Sequence, residues 1–331
     1  MTRLRITVVM IAFTKRPFAV EALQSVVAQT GNFEKPQLVV VAGFEDSKVE
    51  QIVKEHAGTW IHWTGSVGEA MVKALLCSAG DVICFLDDDD VFMPNKLARV
   101  NQVFSEHPDV GYYHNAYERV DEFGRATARQ PPRPKHTLKV APSEYGLKLG
   151  RILRCDGAHN LSSISVRRDC LLEVKRQLSN VEGATDRFVF YAALSRSVNL
   201  VLDADVLTKY RIHPYSEIHA HGSRYVTATK IVFALRRLSR TETPLLELFP
   251  AKGAPRALVE ECSVTRLKLF AVNPKEGARP RGRDFANALS FFCRTRDGAT
   301  LPALFLALVT FLTGCSGMGF FVMLRGGGRA L

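Results

Sequence analysis

The chain has 331 residues, 47% hydrophobic and 23% charged, with a formal net charge of +11. That balance is typical of folded globular protein and excludes a disordered tail, a collagen-like fibre or a linker. A chain of this length buries enough surface for one large or two ordinary domains, so neither disulfides nor a structural metal are needed for stability.

Arg3 and Arg5 precede an apolar run, residues 6–13, which ends at Lys15, Arg16 and Pro17 without a small-residue cleavage site. The run therefore reads as a buried first strand and not as a signal peptide. Strand-length apolar runs recur at QLVVVAG, TWIHW and DVICFL, and helix-like stretches at residues 17–29, 47–56 and 68–78 alternate with them. Uninterrupted apolar strands separated by helices predict an α/β fold, a mainly parallel sheet with helices on both faces, whose ligands bind beyond the carboxyl ends of the strands. QPPRPKH at residues 130–136 predicts a mobile loop able to close over a substrate. Cys77, Cys84, Cys155, Cys170, Cys262, Cys293 and Cys315 are odd in number and scattered, and they form no C-x-x-C pair. They read as reduced thiols of a cytosolic compartment.

The charge is unevenly placed. From Arg224 onward there are 17 Lys and Arg against 7 Asp and Glu, a balance of +10 that leaves only +1 for the first 223 residues. Residues 223–297 read as a basic helical region in which YVTATKIVFALRRLSR and VTRLKLF mix apolar and basic residues as interfacial helices do. Residues 298–324 carry no charge and are long enough for a transmembrane or membrane-inserted helix across a hydrocarbon core of about 30 Å. A buried hairpin of core helices is the alternative, given Gly314, Gly317 and Gly319. A short tail, residues 325–331, follows. The expectation is a membrane-associated chain whose large part, residues 1–222, stays on the cytoplasmic side.

Chemistry is most legible in DVICFLDDDDVFMPNKL, where Asp87, Asp88, Asp89 and Asp90 follow a hydrophobic strand directly. Four adjacent carboxylates repel one another, and a divalent cation, which takes hard oxygen ligands, removes the conflict. A solvated acidic turn that caps the next helix is the plainer reading.

The order of these elements resembles the family 2 glycosyltransferases, which have the nucleotide-sugar fold called GT-A. The resemblance spans roughly residues 5–216 and rests on VVMIAFTKRPF and on TGSVGEAMVKALLCSAGDVICFLDDDD, which is similar to the stretch leading into the family's D-x-D motif. It implies that Asp87 touches the donor ribose and that Asp89 ligates Mn²⁺ or Mg²⁺ on the diphosphate, with Asp88 and Asp90 lending charge. VEGATDRFVFYAAL resembles the segment carrying the family's base, which matches Asp186. Helix capping is the plainer role for that residue. YRIHPYS resembles the family's closing motif and implies that His213 reaches the metal or diphosphate, with Arg211 holding phosphate or bracing the acidic turn. A zinc site from His213, His219 and His221 lacks the partner spacing such sites need.

The chain departs from the pattern at Ala42 and Gly43, where the family carries acidic residues that recognise the nucleotide base, and at Thr185, where it often has Glu. Asp46, or Phe13 and Thr14 with Lys73, stand as substitutes for base recognition, and Trp60, His62 and Trp63 could line the pocket. The resemblance implies a metal-dependent inverting transferase moving a sugar from a nucleoside diphosphate donor to an acceptor hydroxyl, a lipid-linked or cell-envelope glycan. A sugar nucleotidyltransferase would need a glycine-rich phosphate loop, which AFTKRPFAV lacks. A non-catalytic membrane scaffold is the alternative from another class. Nucleic-acid binding is disfavoured, because the basic residues adjoin an apolar span without an aromatic recognition pattern.

Overall fold

A computed structural model describes residues 4–214, 224–249, 253–314 and 316–317. Tyr215, Ser216, His219, His221, Cys315 and the apolar residues 318–324 lie outside the described residues. The described chain divides into two compact units: residues 1–145 with 155–212, and residues 146–154 with 213–331.

The first unit runs β1 (Ile6–Ala12), α1 (Ala19–Val27), β2 (Gln37–Ala42), α2 (Ser47–Glu55), β3 (Thr59–His62), α3 (Val67–Cys77), β4 (Val82–Asp87), β5 (Val91–Phe92), α4 (Lys96–Glu106), β6 (Val110–Val120) and β7 (Leu138–Val140). After α5 (Tyr145–Arg154) it continues with β8 (Ile164–Arg167), α6 (Arg168–Leu172), α7 (Lys175–Ser179), α8 (Thr185–Ser195) and β9 (Asn199–Arg211). The four apolar runs read as strands are β1 to β4, and the three helical stretches are α1 to α3.

The strands form one sheet in the order β3-β2-β1-β4-β8-β6-β9-β5, with β7 paired to β9. β1 to β4 are parallel to one another, in the pairs β3-β2, β2-β1 and β1-β4. β8 then enters antiparallel to both β4 and β6, while β6 and β9 are parallel to each other. The sheet is thus mixed, not mainly parallel as the alternating pattern predicts. Periodicity reports burial, not direction, and the four-residue ISVR of β8 carries no directional signal.

Both faces of β1, β2 and β4 are covered, which is why their sequences show no polar alternation. Val8, Met10, Val40, Cys84 and Leu86 share one core cluster with Ala22 and Leu23 of α1, Val49 of α2 and Val100 of α4. Val9, Val39, Val41, Ile83 and Phe85 point to the other face and are equally buried. There α3 approaches β1 and β2, and α8 approaches β6 and β8. Ser66 and Glu69 close a reciprocal capping box at the start of α3.

Gly68 makes this packing possible. A Cβ there would stand 2.1 Å from the Leu178 carbonyl oxygen and 2.8 Å from that of Val181. Gly68→Ala is expected to destabilise the chain by about 1–3 kcal/mol by forcing α3 off that backbone. Thermal denaturation should show a fall of roughly 2–4 °C for each kcal/mol lost. An unchanged melting temperature would mean that the α3 start yields at no cost.

The segment expected to form a mobile loop is pinned at both ends. Gln130 exchanges hydrogen bonds with the Arg119 backbone, its Oε1 accepting at 2.8 Å and its Nε2 donating at 3.1 Å. The Thr137 hydroxyl donates to Asp203 Oδ1 at 2.7 Å.

The second unit contains α9 (Arg224–Arg240), α10 (Glu242–Leu246), α11 (Arg256–Val272), α12 (Gly282–Thr295) and α13 (Thr300–Thr313), together with most of α5. α11 lies at its centre: Val264, Leu267, Phe270 and Val272 pack with Ile231 and Leu235 of α9, Ala288 and Phe291 of α12, and Leu306 and Ala307 of α13. Its buried Glu260 is held by Arg256 at 2.8 Å and by Arg294 at 3.1 Å. No helix among the described residues is long and apolar enough to cross a membrane. The uncharged stretch read as a transmembrane helix instead begins with α13, which has 14 residues and ends where Gly314 takes a left-handed conformation at φ 71°. One face of α13 is packed on its neighbours, as the hairpin alternative anticipated for a buried helix. The described Cys77, Cys84, Cys155, Cys170, Cys262 and Cys293 are free thiols.

Candidate active site

β1 and β4 are parallel neighbours with Ile11 opposite Asp87, so the loop after β1 and the acidic turn after β4 emerge side by side. From that loop Arg16 reaches across, its Nη1 donating to Asp88 Oδ1 at 3.0 Å and to Asp89 Oδ2 at 2.5 Å. Sequence reasoning missed Arg16, although a carboxylate run beside an arginine-bearing loop was the available signal.

On the other side stands Arg211, the last residue of β9. Its backbone N–H donates to Asp90 Oδ1 at 2.9 Å and its Nε to the Asp89 carbonyl at 2.9 Å. Its remaining donors go to the Glu122 carbonyl and to Glu21 Oε2, at 3.0 and 2.7 Å, with the guanidinium over the Phe18 ring. Of its two expected roles the geometry displays the bracing of the acidic turn.

Beneath the turn lies a polar bracket. Ser162 Oγ accepts from the Asp87 N–H at 2.9 Å. Buried Lys96 donates to the Ser162 carbonyl and, at 3.0 Å, to Thr208 Oγ1. Burial pushes the Lys96 ammonium down to about 7, against which the Cys84 and Asp90 charges pull upward. Burial also raises Asp87 well above the usual carboxylate range, reinforced by Asp89, Asp88 and Asp186 and opposed by Arg16. Asp90 is raised likewise, by burial and then by Asp89 and Asp87. Its Oδ2 is buried without a hydrogen-bond partner among the described residues.

Asp186 is the second residue of α8. It is not the cap, a position held by Ala184 in a left-handed conformation at φ 51°. The carboxylate accepts from the Arg187 N–H at 2.8 Å on Oδ1 and from the Asn160 N–H at 3.1 Å on Oδ2. His159 Nδ1 lies 3.4 Å from Oδ2, and its ring is set between Tyr117 and Tyr210. Burial opposes ionisation of Asp186, but the His159 contact and charge, with Arg187, outweigh it and hold the carboxyl below its ordinary value. His159 is correspondingly raised: burial works against its charge, and Asp186 and Asp156 overcome it. Two non-glycine residues with positive φ flank this carboxylate, Asn160, which bonds it, and Ala184, two residues before it, and a third, Asp156, accepts from Tyr117 beside His159. Such conformations cost of order 1–3 kcal/mol each and cluster where chemistry is done. His159 too escaped the sequence reading; a buried base needing a cation to stay ionised was the clue.

The remaining expected residues scatter around the strand ends. Phe13 is half-buried and Thr14 exposed after β1. Lys73 on α3 sits with its ammonium 4.0 Å above the Trp63 ring. Asp46 caps α2 by accepting from Lys48 and Val49 N–H, and pairs with Lys15 at 2.8 Å. Gly43 is fixed by space: a Cβ would meet the Phe13 carbonyl at 3.1 Å and the Trp63 carbonyl at 3.3 Å. Trp60 packs on the core and His62 is exposed. His213 is buried and opens the second unit.

A divalent cation riding on a diphosphate needs one or two protein carboxylates, its other positions being filled by phosphate oxygens and water. Asp89, flanked by further carboxylates and paired with Arg16, fits that demand. No group of three or more His, Cys, Asp or Glu among the described residues could hold a metal by itself. The donor set suits a site shared with substrate.

Residues 7–160 match the family model described as Glycosyl transferase family 2. An uncharacterized glycosyltransferase of Haemophilus influenzae is 24% identical over 177 residues, 51% of this chain and 55% of that one. The minor teichoic acid biosynthesis protein GgaB of Bacillus subtilis is 31% identical over 108 residues, 30% of this chain and 12% of that one. The chain thus spans about half the length of the first of these relatives and a small part of the second. In fold it is similar to S. aureus TarS 1–349 in complex with UDP-GlcNAc, with a TM-score of 0.54, 14% identity, and coverage of 94% of this chain and 92% of that one. It is similar also to the mannosyltransferase PcManGT of Pyrobaculum calidifontis in complex with GDP-Man and Mn²⁺, with a TM-score of 0.50, 16% identity, and coverage of 95% and 88%.

Proposed function

We propose that this chain, a family 2 glycosyltransferase, moves a sugar from a nucleoside diphosphate sugar to an acceptor hydroxyl with inversion, and that it does so with Mn²⁺ or Mg²⁺. One observation carries the reading: a single short segment holds both carboxylates, the Asn160 N–H donating to Asp186 and Ser162 Oγ accepting from the Asp87 N–H. Asp87 is suited to the donor ribose and Asp89 to the metal. A bound divalent cation would neutralise the charge that gathers on the departing diphosphate. Asp186, held in place by His159 and two backbone N–H groups, would take the acceptor proton on the face opposite that leaving group. Arg16 and Arg211 keep the turn compact before donor arrives. The teichoic acid relative supports cell-envelope glycan synthesis, and the two nucleotide-sugar complexes support a nucleotide-sugar donor; a lipid-linked acceptor is part of the proposal alone.

The test is thermal denaturation of the full chain against UDP-GlcNAc, GDP-mannose and their parent diphosphates, each with and without Mn²⁺. One base is expected to stabilise the protein by about 2.7 kcal/mol at a hundredfold excess over Kd, and only when Mn²⁺ is present. A shift of equal size without metal removes the metal role. No shift with any nucleotide removes the donor role and favours the scaffold.

A further inference from the structure

The outward side of α13 is apolar where a surface helix would be polar. Leu301, Phe305, Leu308, Val309 and Leu312 form one stripe at helical spacing, and Phe305 and Leu312 are 61% and 73% exposed. The opposite stripe, Thr300, Ala303, Leu306, Ala307 and Thr310, is buried against the helices around α11. Burial inside the second unit therefore does not account for the first stripe. A contiguous exposed apolar surface of this kind marks an interaction site.

Charge selects the partner. α13 itself carries no charge. Arg279 stacks 4.6 Å over the ring of Phe311, the neighbour of Leu312 in sequence, and exposed Arg296 precedes the helix by four residues, so basic residues border the apolar helix. Beyond the described residues the sequence stays apolar through residues 318–324 and then carries Arg325 and Arg329. Apolar side chains bordered by arginines suit an acyl boundary with anionic headgroups, because long basic side chains keep their heads in the headgroup layer. A 14-residue helix is about 21 Å long, too short to span the hydrocarbon core but suited to lying in the interface.

We propose that the second unit docks on an anionic lipid surface through the outward stripe of α13, which lies in the membrane interface without crossing it. The docking is read from the second unit alone and does not rest on the catalytic reading.

The test uses purified full chain sedimented with vesicles of equal phosphatidylglycerol and phosphatidylcholine, and with phosphatidylcholine alone. The anionic vesicles should retain most of the protein and the neutral ones far less. Phe305→Gln/Leu312→Gln should lower partition at least about tenfold with an unchanged melting curve, since both side chains are exposed. Leu301→Gln/Leu308→Gln is a second pair on the same stripe if the first melts early. Failure to bind anionic vesicles, or equal binding by the variants, overturns the proposal. So does a dimer in light scattering that the variants convert to monomer, which would assign the stripe to a second copy of the chain. Nucleotide-induced thermal shifts, measured on the same variants, stay as in the parent chain whichever way the vesicle result falls.

Discussion

Asp186→Asn is expected to lower kcat by about 10²–10⁴ while leaving donor-induced stabilisation intact. The substitution keeps the size of the side chain and an oxygen able to accept from the Asn160 or Arg187 N–H, but it removes the anion that receives the proton. His159→Gln supplies a graded companion. In the parent chain, activity is expected to fall as pH drops through the Asp186 pKa, which the His159 contact holds below the ordinary carboxylate value. Without that cation, burial acts against the anion with less opposition and the pKa rises. The acidic limb of the kcat profile should then move to higher pH. Tyr117 and Asp156 remain nearby, so a general loss of activity with an unmoved limb would make His159 a packing residue only. Normal turnover in Asp186→Asn would leave the carboxylate a purely structural element.

Asp89→Ala is the second large effect. The full Mn²⁺-dependent part of donor stabilisation, about 2.7 kcal/mol at a hundredfold excess, should vanish, with kcat/KM reduced by at least about 10². The ligand-free chain should melt within a few degrees of the parent, since what is lost in the fold is the contact between Asp89 and Arg16. Retention of the Mn²⁺ increment would shift the metal onto another carboxylate of the turn. A collapse of the ligand-free melting temperature would show that Arg16 and Asp89 hold the loop after β1 together.

The first half of the chain was legible because each signal there is local. Strands β1, β2 and β4 announce themselves as continuous apolar runs because both their faces are buried, and Asp46 and Ser66 mark the starts of α2 and α3 by capping chemistry. Asp87 to Asp90 stand where the sheet ends, so composition alone located the turn. What the sequence did not yield was whatever depends on long-range return of the chain. Arg16 meets Asp89 across 73 positions and Arg211 meets Asp90 across 121. The direction of β8 and the approach of His159 to Asp186 have no periodic trace either. The span reading put uncharged length ahead of Gly314, Gly317 and Gly319, the glycines behind the hairpin alternative, and it is the left-handed backbone of Gly314 that stops α13 well short of a span.

Between β6 and β8 the stretch from His159 to Ser162 touches both chemical centres. His159 and the Asn160 N–H hold Asp186, and two residues later Ser162 Oγ holds the Asp87 N–H. The same few peptide units therefore act as a spacer rod, setting the gap between the Asp87 turn, proposed for the donor, and Asp186, proposed for the acceptor proton. Exchange of donor or acceptor by evolution or design can be accommodated in the surrounding loops, but a residue inserted into this rod would put the two halves of the reaction out of reach of one another. Donor affinity and turnover would fail together, although no substrate contact had been altered.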